Sequence, residues 1–177
     1  MSEEKKENKF LQNILQNLKA KNNGLVLKAL QDAKQRGTIH VLPGIIEVLL
    51  QTDDDLVYQE AKSILFELKA SKAGEVIVDY LKKESSAGHR DILVSALWQS
   101  SIPSEEYLTF LVDLACKENY ITTLEVLTVV ENMEGEVNDE EIVECISTIN
   151  ECLENGGDEN KMKLLSSLVE VLELLRP

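Results

Sequence analysis

The sequence predicts an all-α fold, and three observations carry that prediction. The 177 residues are 44% hydrophobic but only 5% aromatic, with three Pro and eight Gly. Leu, Ile and Val therefore supply the core, and few elements are interrupted. Apolar residues recur at helical spacing along the chain rather than alternating. A helix–turn–helix pattern returns about every thirty residues, a period that marks stacked helix pairs, an α-solenoid.

The clearest unit is Val41 to Leu68. Val41-Leu42-Pro43-Gly44-Ile45-Ile46 opens an apolar helix, Asp53-Asp54-Asp55 forms an acidic turn, and a second helix carries Ala61 at its centre. Pro43 falls in the first turn, where its missing N–H does no harm. Around this unit the apolar periodicity and the breakers predict ten helices in five pairs: 8–20 with 23–36, 41–51 with 55–69, 72–84 with 88–101, 103–117 with 120–134, and 138–154 with 158–175.

Each boundary has a local cause. Asn22-Asn23-Gly24 turns within the first pair, and Gly37 ends the second helix. Ser85-Ser86-Ala87-Gly88 connects the third pair. Pro103-Ser104-Glu105-Glu106 opens the fourth, with acids beside a helix N-terminus. Asn155-Gly156-Gly157-Asp158 is a stop followed by a new N-cap. The second helices begin near 23, 55, 88, 120 and 158, spacings of 32, 33, 32 and 38. Short connectors make consecutive helices antiparallel neighbours. Residues 1–7 read as a flexible tail, and 8–177 as a single repeat domain.

Charge limits the partners. The net charge is −14, and residues 119–177 hold 14 acids against three bases, Lys161, Lys163 and Arg176. Such a surface repels nucleic acid and anionic membranes. It serves either as a solvated face or as an attractor for a basic protein segment. The polar start, Met1-Ser2-Glu3-Glu4-Lys5-Lys6, has no apolar stretch of the signal-peptide kind, and no segment reaches the ~20 apolar residues of a membrane span. The expected location is cytoplasmic. Cys116, Cys145 and Cys152 then read as reduced thiols, either structural or with a redox or metal role, with Cys145 and Cys152 seven apart on one helix face.

The second and third units resemble HEAT repeats. That family tends to place Pro in the first helix, Asp in the turn, then Val and Arg, then a small residue and a Leu in the second helix. Pro43, one of Asp53 to Asp55, Val57, Ala61 and Leu65 stand at those places in the second unit, with Tyr58 where Arg is common. Arg90 holds the Arg place in the third unit, after His89. The other three units keep only the periodicity. The resemblance covers residues ~8–175. It implies a right-handed superhelix of about five antiparallel pairs whose second helices line a concave surface.

Catalytic, cofactor and metal constellations are not found in the sequence. The His-Glu pairs of a HEAT-like di-iron subfamily are missing, since the two His stand in His40-Val41 and His89-Arg90. A HEAT-like glycosylase family needs a basic groove, against the charge here. Asp53-Asp54-Asp55 lacks the spacing of a calcium loop and fits helix capping.

The candidate binding residues lie on the second helices. Asp91, Ser95 and Gln99 form a polar strip on the 88–101 helix, with Trp98 and Val94 at the edge of the buried face. One repeat back the strip becomes Gln59, Ser63 and Glu67, and Trp98 corresponds to Phe66. One repeat forward it becomes Thr123 and Glu131, with Leu127 between them. Tyr58, Phe66 and Trp98 are either junction fillers or anchors along the margin of a groove. In the second reading Glu67, Asp91, Gln99 and Glu131 help to draw in a basic segment.

The expected function is thus a non-catalytic scaffold that binds another protein with a basic segment, without cofactor, as a monomer. Two alternatives stand beside it. One is a homodimer built through a terminal helix, on which Leu174 falls among polar residues. The other is an enzyme-maturation factor.

Overall fold

The computed structural model describes residues 3–36, 39–68 and 72–176. Among these residues the chain forms ten α-helices and no strand. In order they are α1 Glu3–Leu18, α2 Asn23–Arg36, α3 Leu42–Gln51, α4 Asp55–Phe66, α5 Ala73–Leu81, α6 Arg90–Gln99, α7 Leu108–Lys117, α8 Tyr120–Glu131, α9 Asp139–Glu154 and α10 Glu159–Leu174. Each of the ten expected helices has its counterpart. Helix α1 begins at Glu3, ahead of the expected 8, so residues 3–7 of the expected tail are helical. Glu and Lys are good helix formers, and acids at a helix start favour the dipole. Gly37, expected to end α2, lies outside the described residues, as do residues 1 and 2.

Capping side chains set the N-termini of α4, α8, α9 and α10. Asp54 Oδ1 accepts from the backbone N–H of Leu56 and Val57, both at 3.0 Å, and so starts α4. Asn119 accepts from Thr122 at 3.1 Å, Asn138 from Glu140 at 2.8 Å and Asp158 from Lys161 at 2.8 Å. Each answers an amide that the first helical turn leaves unpaired. Helix α7 departs from expectation. Pro103 does not open it; a 3-10 turn, Glu105–Tyr107, comes first. Ser104 is buried, donates its hydroxyl to the Ile102 carbonyl at 2.8 Å, and makes no capping bond.

The chain forms two compact units, Met1–Gly88 and His89–Pro177. In the first, α1 packs on α2 and α3 on α4, while α1 and α5 flank α3 and α2 lies against α4. Leu30, Ile46, Leu49 and Leu65 are fully buried between these helices. In the second, α7 packs on α8 and α9 on α10. There α7 lies against α9, and α8 lies between α6 and α10. Leu111, Val130, Ile142, Ile149, Leu165 and Leu168 fill that core. Odd-numbered helices thus neighbour odd ones and even neighbour even ones, giving each unit two helical layers.

Candidate functional site

In the first unit the expected residues Tyr58, Phe66 and Glu67 stand on or just after α4. Tyr58 and Phe66 are half-buried. Phe66 ends the helix, and the Lys62 ammonium lies 5.3 Å from the centre of its ring. Glu67 is exposed but is not an unengaged carboxylate. Lys34 of α2 donates to it at 2.9 Å and to Ser63 at 3.2 Å, and the Ser63 hydroxyl donates to Glu67 at 2.9 Å. Glu67, expected to draw a basic partner, is thus paired with a lysine of its own unit.

In the second unit Asp91, Trp98 and Gln99 stand on α6 and Glu131 ends α8. Trp98 is half-buried, and its indole N–H donates to Glu125 Oε2 on α8 at 2.7 Å. This bond fixes one edge of the ring and ties α6 to α8. Asp91 is half-buried; Gln99 and Glu131 are exposed. Glu131 sits where the α8 dipole is already negative, and among the described residues no side-chain hydrogen bond or ion pair meets its carboxylate. A cation brought by a partner would relieve both charges.

The polar strip read across these helices is largely internal. Ser95 is 6% exposed and Thr123 is fully buried. The Thr123 hydroxyl donates within hydrogen-bond reach of two carbonyls, Ala115 and Asn119, each at 3.0 Å. Val94, placed at the edge of the buried face, is also fully buried. Helix α8 has neighbours on three sides, α6, α7 and α10, so both threonines at 122 and 123 turn inward.

Apolar residues occupy the exposed face instead. Tyr120 is 40% exposed, Ile121 48% and Leu124 36%. Ile121 lies one turn before Glu125, the acceptor of the Trp98 bond, so this patch and the indole edge share one face of the α6–α8 pair. The sequence signal was ambiguous because Tyr120-Ile121-Thr122-Thr123-Leu124 puts large apolar and small polar residues on opposite sides, and size alone favours the wrong side.

A second feature had no signal in the sequence reading. An open groove of about 760 Å³ lies in the first unit, between the α1–α2 turn, α3 and the α3–α4 turn. Leu18, Val26 and Val57 contribute apolar surface, Lys19 and Lys21 stand at one turn, and Glu47, Asp53 and Asp54 line the rest. Tyr80 of α5 donates its hydroxyl to Glu47 at 3.0 Å. Burial and the neighbouring Glu47 push its phenol up to about 12. The Asp54 carboxylate is held below its ordinary range, first by the Val57 amide and then by Asn23. It is committed to the helix cap and to Asn23, which donates at 2.7 Å.

Groups suited to chemistry are scattered. His40 is exposed, and no cluster of three or more His, Cys, Asp or Glu side chains able to hold a metal ion occurs among the described residues. Nor is any described helix long and apolar enough to cross a membrane. Compared with protein-family models, curated proteins and solved structures, the chain matches none of them.

Proposed function

We propose that the chain is a non-catalytic scaffold, cytoplasmic, with HEAT-like right-handed solenoid packing, that binds a basic segment of another protein through α6 and α8. The packing of odd helices on odd and even on even within each unit supports the solenoid reading. One observation carries the binding reading. Tyr120, Ile121 and Leu124 expose apolar surface beside the anchored Trp98 edge, in the more acidic half of the chain. Residues 89–177 hold 19 acids and five bases, whereas residues 1–88 hold 13 of each. A partner helix or peptide with apolar anchors and flanking Lys or Arg would bury the patch. It would also meet the carboxylates of Asp91 and Glu131, which steer association more than they add affinity.

The chain's single Trp is its own reporter. Proteins retained from lysate at low salt would be purified singly and titrated while Trp98 fluorescence is followed. Replacing Ile121 and Leu124 together by Asp should weaken binding on the order of tenfold or more while leaving the helical circular dichroism unchanged. Equal affinity for this variant and the native chain would sink the reading. Leu174, 83% exposed at the end of α10, supports a second reading, self-association through that helix. Light scattering that shows a concentration-dependent dimer lost in Leu174→Lys would favour it.

A further inference from the structure

Cys116 stands one residue from the end of α7, and Cys152 two residues from the end of the neighbouring α9. The Cys152 thiol lies 3.6 Å from the Cys116 carbonyl oxygen and donates to it. That carbonyl is one of the last four of α7, which a helix leaves without an internal partner. Lys161, in the first turn of α10, donates to the same oxygen at 2.7 Å. Three helices therefore meet at one point, with two sulfurs and one ammonium gathered there. Both cysteines are half-buried. Cys145 is buried, and its sulfur lies 4.0 Å from the Thr109 hydroxyl instead.

We propose that Cys116 and Cys152 are an oxidisable dithiol that closes to an intramolecular disulfide under hydrogen peroxide and staples α7 to α9. In the first step the Cys152 thiolate attacks a peroxide oxygen. The O–O bond breaks, a sulfenic acid forms on Cys152, and the departing hydroxide leaves as water with the thiol's proton. In the second step the Cys116 sulfur attacks the sulfenyl sulfur. The S–O bond breaks, the disulfide forms, and a second water leaves with the Cys116 proton. Two thiols lose two electrons and one peroxide gains them.

Cys116 takes the resolving role for two reasons. Burial, and then the adjacent Cys152, push its thiol up to about 12, so near neutral pH it stays protonated and is a poor first nucleophile. The Lys161 ammonium pulls the other way and favours negative charge on Cys116 as its proton leaves. Closure is accordingly slow at neutral pH and quickens as the pH rises. This site stands independently of the protein-binding reading.

The test is peptide mapping of the folded, full-length chain without reductant, after hydrogen peroxide. A 116–152 crosslink that dithiothreitol reverses, with a higher melting temperature in the oxidised chain, is the expected result. In Cys116→Ser a dimedone-reactive sulfenic acid should persist on Cys152 with no crosslink, whereas Cys145→Ser should crosslink as the native chain does. Wild-type chain whose Cys116 and Cys152 both remain alkylatable after peroxide would overturn the proposal. So would crosslinks that use Cys145 as often, and neither readout depends on the folding of a variant.

Discussion

At the scale of single residues, Ser101 shows the cost of ending a helix with the wrong side chain. Its φ is 49°, in the left-handed region, and the Ile102 amide just after it donates back to the Leu97 carbonyl at 2.9 Å. This is the wrapped C-terminus that usually carries Gly, because a Cβ crowds the following carbonyl there. At Gly156, where α9 ends, the chain does use Gly, at φ 71°. Ser101→Gly should stabilise the fold by about 0.5–1 kcal/mol. The relief of left-handed strain exceeds the extra backbone freedom that Gly brings to the unfolded chain. Urea denaturation reads the change as a higher midpoint with an unchanged slope, and a lower midpoint would contradict it. The Asn155-Gly156-Gly157-Asp158 stop was legible in the sequence because Gly names its own conformation. Ser101 was not, since nothing about a serine signals a positive φ. The Cys116–Cys152 contact was hidden for a related reason. Reading along one helix pairs Cys145 with Cys152, while the fold pairs residues 36 apart on neighbouring helices.

At the scale of elements, N-caps and the buried faces of helices were read with unequal success. The acidic turn before α4 was expected to cap it, and Asp54 does so through the Leu56 and Val57 amides. These bonds, the Val57 amide foremost and then Asn23, hold its carboxyl below the ordinary value of 3.8. A group depressed in the folded state contributes stability that is complete above its unfolded value and is lost as pH falls through the folded one. Asn can make the same cap without a charge. The stability advantage of the native chain over Asp54→Asn should therefore be present at pH 6 and disappear as the pH drops below 3.8. Denaturant titrations at both pH values check this, and a constant difference would mean that the carboxylate charge adds nothing. Helix α8 marks where the element reading failed. It is apolar around most of its circumference, so periodicity gave two nearly equal faces. Contact with α6, α7 and α10 chose the one with Thr122, Thr123 and Val126. Neighbours in space made that decision, and one helix's sequence does not contain them.

At the scale of the whole molecule, the period of about thirty residues anticipated all ten helices, because the apolar stretches recur in pairs separated by breakers. It carries no mark of the two compact units, since the connector Ser85-Ser86-Ala87-Gly88 resembles the other turns in length and composition. Charge divides at the same point: residues 1–88 balance at 13 acids and 13 bases, and residues 89–177 carry the whole net charge of −14. Like charges raise the free energy of a compact unit, and the effect fades as the Debye length shrinks from ~30 Å at 0.01 M salt to ~8 Å at 0.15 M. Salt acts oppositely on the exposed ion pairs of that half, such as Arg176 with Asp139 at 2.7 Å and Lys163 with Glu159 at 2.8 Å, and least on the half-buried pair of Arg90 with Glu118. Such exposed pairs contribute little, so relief of the repulsion should dominate. Amide hydrogen exchange in the two salt concentrations separates these effects by position. Protection should rise with salt across α6 to α10 and stay nearly constant across α1 to α5. Protection that falls in α6 to α10 would mean that the local pairs outweigh the field of the surplus carboxylates. The acidic half would then owe its stability to those pairs, and its surface would carry less unbalanced charge to attract a basic partner.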